Sequence, residues 1–389
     1  MKYYIHHKTR RVALIELDDE TKKAVDIEKI FIPEEMPVRV DGKNRVLDCN
    51  KIDRWIDNRG IPNSRDSLDE KLKKLKVKTA RDLSIMSYGL NLTDHYWISK
   101  KSENKQWERI NFFDNDFNED IGRVLFENGK IADAEILSPD CTLNGNLEKM
   151  WKIIDGKRML VKGGNDNDRL EPFNEKLASL IMERLNIDHV AYELFIHNDK
   201  TYSICECMVD RNHEFINAHF VYNHKPDNKS LGKYADYIRT LEFNGIRNAK
   251  ESVNKMICLD FLIANSDRHH GNFGIIRNAD TLQWEKAAPV FDNGTSMWAG
   301  KHESFIRLDK TENRSFDNTN EEMIQNITNA DWFRKEKLSG VGDAYYDLIS
   351  RNPFVLPAKR LALRDAFERR LEVFNEFVTG LRGTSPAVS

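Results

Sequence analysis

The stretch IANSDRHHGNFGIIRN, residues 263–278, decides the reading of this chain. Its polar run sits between a segment with helical apolar spacing, 249–263, and a strand-like run. Asp267 and Asn272 lie five positions apart on it. In phosphoryl transfer by protein kinases, a loop aspartate takes or orients the proton of the acceptor hydroxyl, and an asparagine five residues later reaches a magnesium ion. Taken singly, each is better explained as a turn-former bonding its own backbone. What carries the kinase reading is the set of groups that stand in order around them.

About twenty residues onward, APVFDNGTSM places Asp292 at a strand end with Gly294 close behind. A second carboxylate there can hold magnesium against the β- and γ-phosphates. Upstream, GKRMLVKGGND ends a strand with Lys162, a compact positive charge suited to a phosphate. Glu175, on the helix that follows, is the candidate partner of Lys162, with Glu171 a nearby alternative. Before that strand, SPDCTLNGN occupies the place of a nucleotide-covering loop, and Gly145 is its one glycine, a weak signature for cradling phosphate. Alone, Lys162 is a solvated strand end and Asp292-Asn293-Gly294 an ordinary turn. His269 and His270 offer a zinc alternative beside Asp267. Adjacent histidines point in different directions, however, and no second compact ligand pair such as H-E-x-x-H exists. His269 is therefore expected to support the loop and His270 to face outward.

The rest of the chain is consistent with a soluble enzyme. Its 389 residues call for two or three packed units, and 40% apolar with 32% charged residues is an ordinary globular composition. Sixty basic against 63 acidic residues leave a net charge of -3, so no global field recruits nucleic acid or anionic lipid. Five cysteines without a C-x-x-C pair argue against a disulfide framework or zinc ribbon. No apolar run is long enough for a signal peptide or a membrane span, so a cytoplasmic protein without membrane contact is expected.

Residues 1–130 read as a mixed subdomain, with a strand at 11–17 and short helices at 50–58, 67–75 and 80–88. Ser67 with Glu70 has capping-box spacing, and Thr79 stands where an N-cap belongs. The aromatic group Trp97, Trp107, Phe112, Phe113 and Phe117 is read as core, against the alternative of a partner surface. Residues 131–209 alternate hairpin, helix and hairpin: strands around Asp155-Gly156, a helix at 171–186 with Pro172 near its start, then strands around Asn198-Asp199. Residues 210–382 are mainly helical, at 233–243, 249–263, 321–329, 344–350 and 357–378, interrupted by a β-rich run at 273–292. Residues 383–389 read as a loose tail.

With these residues in view, NSDRHHGNF resembles the N-x-D-x-H-x-x-N catalytic loop of HipA-like kinases, and APVFDNG their metal-binding A-P-x-x-D segment. The loop is also similar to the D-R-H-x-x-N of phosphoinositide kinases, a distantly related group, although Asp292 departs from their usual D-F-G. The likeness runs from SPDCTLNGN to the C-terminal helices. It implies an α+β, bilobal protein-kinase-like fold, with a β-rich small lobe and a mostly helical large lobe, preceded by a small mixed α/β N-terminal subdomain. It also implies a Ser/Thr protein kinase using ATP and Mg2+. In that frame Asp267 is the base, Lys162 contacts ATP, His269 supports the catalytic loop, and Asn272 and Asp292 bind magnesium. Glu206 to Met208 form an adenine-facing hinge. HipA kinases are toxins that pair with a helix-turn-helix antitoxin, and they can inactivate themselves by phosphorylating a serine in the nucleotide-covering loop. Ser138 and Thr142 are the candidates here, and any DNA contact is expected through such a partner. Two other classes stay open: a silent nucleotide-binding module, and a lipid or small-molecule kinase.

Overall fold

Turn chemistry and apolar periodicity account for most elements of the computed structural model, which describes residues 1–37, 48–65, 67–127, 136–165, 167–227, 229–306 and 310–384. In chain order these are strands β1 (Lys2–His7), β2 (Arg10–Leu17) and β3 (Ala24–Ile30), helices α1 (Cys49–Asp57), α2 (Leu68–Lys74) and α3 (Ala80–Met86), strand β4 (Tyr96–Lys100), and helices α4 (Trp107–Ile110) and α5 (Glu119–Glu127). Then come β5 (Lys149–Ile154), β6 (Lys157–Lys162), α6 (Glu171–Leu185), β7 (Tyr192–His197), β8 (Lys200–Glu206) and β9 (His213–Asn217). The last part holds α7 (Ala218–Val221), α8 (Lys233–Phe243), α9 (Ala249–Leu262), β10 (Gly274–Asn278), β11 (Trp284–Ala287), α10 (Asn320–Met323), α11 (Val341–Ser350) and α12 (Pro357–Thr384).

The chain divides into two units, one of Met1–Lys162, Glu206–Ile216 and Ile276–Trp284, the other of Gly163–Cys205, Asn217–Ile275 and Glu285–Ser389. The first unit is built on an antiparallel sheet in the order β3-β2-β1-β4, with Tyr3 opposite Ile15 and Ile5 opposite Ile98. Its apolar face, including Ile5, Val12, Ile15 and Leu17, shares a core with Ile52, Trp55 and Ile56 of α1. Asp48 caps that helix by accepting from the Lys51 N–H at 2.9 Å. Trp97, Trp107, Phe112 and Phe117 are buried together, with Phe113 packed on them, as the core reading expected. Arg59 is buried and fully occupied: it donates to both Asp94 oxygens at 2.8 and 3.0 Å and to the carbonyls of Gly89 and Tyr96 at 2.7 Å. The β5–β6 hairpin turns through Asp155 and Gly156 at φ 51° and 77°, the left-handed pair that a two-residue turn demands.

In the second unit β7 and β8 form the other hairpin, turning through Asn198 and Asp199 at φ 48° and 58°. Helix α6 buries Phe173, Leu177, Ile181, Met182 and Leu185, and α9 buries every residue from Met256 to Leu262. Among the described residues no helix is long and apolar enough to cross a membrane.

Several expectations are revised. Ser67 does not cap α2: it sits at φ 56° with no side-chain cap bond, whereas Thr79 does accept from the Asp82 N–H. The helix expected at 321–329 is one turn, Asn320–Met323, followed by a 3-10 turn at Ile324–Asn326. Strands β1, β3, β4 and β9 had no place in the sequence reading. Helix α12 continues to Thr384, where a tail was expected to have begun, and residues 385–389 lie outside the described set, as does the expected boundary at 130/131.

Candidate functional site

The loop bearing Asp267 begins where α9 stops. Ala264 takes a left-handed φ of 49°, and the Asn265 N–H closes the helix end by donating to the Asp260 carbonyl at 2.9 Å. A left-handed conformation at a non-glycine residue costs about 1–2 kcal/mol, so the surrounding contacts must fix it. They do so through Asp260, a carboxylate otherwise surrounded by apolar residues of the buried helix. Its side chain accepts from Asn265 at 2.9 Å and from Arg268 Nε and Nη2 at 3.0 and 2.9 Å. Asn265 in turn accepts the Asp267 N–H at 3.0 Å. The carboxylate in the helix thus sets the path of the loop that follows it.

Arg268 does more than neutralise Asp260. Fully buried, its guanidinium also donates to the carbonyls of Asn272 at 3.0 Å and Phe291 at 2.5 Å, and to Asn293 Oδ1 at 2.5 Å. One planar fork therefore ties the loop bearing Asp267 and Asn272 to the turn bearing Asp292. That turn is shaped by its own constraints. Asp292 has φ 56°, a sparsely populated conformation of the kind stored at functional sites. A Cβ at Gly294 would stand 3.0 Å from Glu171 Cβ, so a larger residue would force the turn or α6 to give way. From α6, Glu175 accepts the Asn293 N–H at 2.9 Å, and Asn174 donates to the carbonyls of Gly294 and Ser296 at 2.9 and 2.7 Å. Asn272, Asp292 and Glu175 are thus brought onto one frame with Asp267.

Asn272 donates through Nδ2 to the Asp267 carbonyl at 3.1 Å, which leaves its Oδ1 as an acceptor. An amide oxygen with the Asp292 carboxylate is a hard oxygen donor set, which suits magnesium rather than a soft metal. Of the two histidines, His270 departs from its expected outward orientation. His269 is exposed and accepts the Gly271 N–H at 3.0 Å, supporting the loop as expected. His270 is half-buried against Tyr222 and Phe273, and its Nε2 lies 2.8 Å from the Ser315 carbonyl, so that nitrogen carries the proton. Burial pushes the His270 imidazole below its ordinary range.

The remaining candidates lie in the first unit. Lys162 ends β6 and is buried. Glu206 is exposed and paired with Lys157 at 2.7 Å, and the Cys207 N–H beside it donates to the Arg158 carbonyl, with Met208 half-buried next in line. Gly145 has φ 95°, its N–H is taken by Asn144, and its carbonyl accepts from the buried Arg65 at 2.7 Å. Ser138 and Thr142 are both buried: Ser138 donates to Asp140 at 2.9 Å, and Thr142 to the carbonyls of Leu90 and Pro139 at 2.9 and 3.0 Å. Burial pushes the Asp140 carboxyl up to about 7.

Residues 141–344, more than half of the 389, match the family model described as the HipA-like C-terminal domain. The chain belongs to the HipA-like family. The HipA-like segment contains Lys162, Glu175, Asp267, Asn272 and Asp292, and Ser138 lies just before it. No curated protein matches the chain. Among solved structures, the HipA of Shewanella oneidensis MR-1, determined with HipB and its operator DNA, is similar with a TM-score of 0.57 and 13% identity over 98% of this chain and 100% of that one. The Helicobacter pylori proinflammatory kinase CtkA gives a TM-score of 0.47 and 17% identity over 60% of this chain and 95% of that one. The likeness to HipA is one of fold, here a mixed α/β chain with antiparallel sheets.

Two groups of this HipA-like chain escaped the sequence reading. Arg268 is one, although a signal was present: Asp260 in the apolar run MICLDFLI is a buried charge in need of a partner. The other is Glu214, whose Oε1 lies 2.9 Å from His7 Nε2 and 3.1 Å from His95 Nδ1. Among the described residues this is the one grouping of histidine, cysteine and acid close enough to share a metal, and it does not include His269 or His270. Arg277 occupies the second oxygen of Glu214, at 2.7 Å, so the charge is already balanced by a guanidinium.

Proposed function

We propose that this chain is a HipA-like serine/threonine protein kinase, bilobal in the manner of that group, that transfers the γ-phosphoryl group of ATP to a protein hydroxyl with magnesium. The observation that carries the reading is the Arg268 fork, which holds the Asp267–Asn272 loop and the Asp292 turn in one register. A structural loop needs no such joint between two carboxylate-bearing segments. In this reading Asp267 accepts the proton of the acceptor hydroxyl as its oxygen bonds to phosphorus, and ADP departs with the bridging oxygen. Asn272 and Asp292 hold magnesium, which neutralises charge on the phosphate oxygens. By the likeness to that group, Lys162 and Glu175 are each assigned to the ATP site, and the backbone from Glu206 to Met208 to the adenine.

The Shewanella HipA was solved with HipB and operator DNA. By extension we assign this chain a helix-turn-helix antitoxin partner, through which it would meet DNA indirectly. Autophosphorylation at Ser138 or Thr142 requires their segment to open first, because both hydroxyls are buried and engaged. A phosphate on Ser138 would face the Asp140 carboxyl and disfavour return to the closed state.

The test is incubation of the purified protein with magnesium and radiolabelled ATP beside an Asp267→Asn variant, with mass spectrometry to locate the label. Label on Ser138, Thr142 or an added protein, absent from a variant that still binds ATP, is the expected outcome. Tight ATP binding without any label in the unaltered protein would replace this reading with a binding module or a kinase of a non-protein substrate.

A further inference from the structure

The segment from Thr311 to Asn320 is folded on itself and pinned to the catalytic loop on both sides of Asp267. Internally, the Asn313 N–H donates to the Asn318 carbonyl and the Asn320 N–H to the Thr311 carbonyl, both at 2.9 Å. Asn313 Oδ1 accepts from the Ser315 N–H and hydroxyl at 2.9 and 2.6 Å. Before Asp267, Asn320 Nδ2 donates to the Asn265 carbonyl at 2.9 Å, and after it His270 donates to the Ser315 carbonyl at 2.8 Å. At the base of the segment Arg370, buried in α12, pairs with Glu321 at 3.0 Å, and Glu321 accepts the Thr311 N–H at 2.9 Å.

Within this segment Asn313, Ser315 and Phe316 are buried, and Arg314 between them turns out. Its side chain is 63% exposed, and its guanidinium lies 3.4 Å from Asp267 Oδ1. An ion pair so exposed contributes about 0–1 kcal/mol, far too little to account for a segment anchored at three places. The anchoring fixes where the base of the Arg314 side chain stands, while exposure leaves its head free to swing. Arg268, the cation next to Asp267 in sequence, is committed to Asp260 and cannot serve.

We propose that Arg314 meets the phosphoryl group on the acceptor side of Asp267 during transfer, an inference that rests on the kinase reading above. When an acceptor hydroxyl approaches within about 2.6–3.2 Å of its base, it takes the place of the guanidinium at Asp267 Oδ1. The displaced fork is then available to the γ-phosphoryl group, and its paired N–H groups suit two of the equatorial oxygens. The hydroxyl proton passes to Asp267, the acceptor oxygen bonds to phosphorus, the bond to the β-phosphate oxygen breaks, and Arg314 stabilises charge on the group between them.

Arg314→Ala, Arg314→Lys and Asp267→Asn are compared with the unaltered protein in three readouts: single-turnover transfer from ATP, direct ATP affinity, and affinity for ADP with magnesium and aluminium fluoride, a mimic of the flat phosphoryl group. The expected result for Arg314→Ala is a loss of about 10²-fold in rate with ATP affinity and melting temperature kept, weakened binding of the fluoride complex, and partial rescue by Arg314→Lys. Transfer at the unaltered rate by Arg314→Ala, while Asp267→Asn is silent, would reduce Arg314 to a surface ion pair. A rate above the unaltered one would make it a brake and equally overturn the proposal. Absence of transfer in the unaltered protein removes the kinase reading itself, and this inference with it.

Discussion

Arg268 ties the stability of the fold to the geometry of the candidate site. Its partner Asp260 is fully buried, so removing the guanidinium leaves a carboxylate without compensation and three acceptors unmet. Breaking a buried pair from one side costs about 3–5 kcal/mol, and Arg268→Met is expected to lose that much in urea unfolding. Pairing Arg268→Met with Asp260→Leu removes the stranded charge, so the double variant should be more stable than Arg268→Met alone, a non-additivity that a double-mutant cycle measures directly. If the two costs simply add, the guanidinium is not held by Asp260. At this scale Asp267, Asn272 and Asp292 were legible because their spacing is set by a loop and a turn that are local in sequence. Arg268 was harder to see, because its joint runs to residues 23 and 25 positions away.

Among the elements, the test is whether a cap seen in sequence is made in the fold. Thr79→Ala removes a side-chain acceptor from the Asp82 N–H and is expected to cost about 1 kcal/mol, read as a lowered melting temperature. Ser67→Ala is expected to cost nothing measurable, since Ser67 makes no cap bond despite its capping-box spacing. Equal losses at both positions would show that Ser67 caps α2 in solution. The hairpins were legible through Asp155-Gly156 and Asn198-Asp199, whose left-handed φ values are chemically encoded. Strand β1 was not. It ends in His6 and His7, polar residues buried through Ser99 and Glu214, 93 and 207 positions away, so the alternation that marks a strand is broken by contacts the local sequence cannot show.

For the molecule as a whole, these buried polar groups set the response to acid. Burial, with Arg11 nearby, lowers His6 to about 3 while it stacks on Trp97 at 3.9 Å. Below its unfolded value of about 6.5, the unfolded chain takes a proton that the folded chain refuses. Stability therefore falls as pH drops from there, by up to about 1.4 kcal/mol per pH unit from this group. His6→Gln should flatten that slope between about pH 6 and pH 4, measured by urea unfolding at each pH. An unchanged slope would place the proton uptake elsewhere. Glu214 acts in a lower window. Burial opposes its ionisation, yet Arg277, His7 and His95 outweigh that and hold the carboxyl well below the usual range. Its stabilisation is present above the unfolded value of about 4.3 and is lost only as pH falls below it. By itself the sequence determined the hairpins, the long helices, the family and the order of Lys162, Asp267, Asn272 and Asp292, because each is written in contacts a few residues apart or in a motif read in order. Only the tertiary structure decided that Asp260 and Arg268 join two loops, that Glu214 is met by two histidines and an arginine, and that Arg314 stands against Asp267. A buried charge is placed by whichever partner the fold delivers, and desolvation makes that choice energetically decisive without leaving any local trace in the chain.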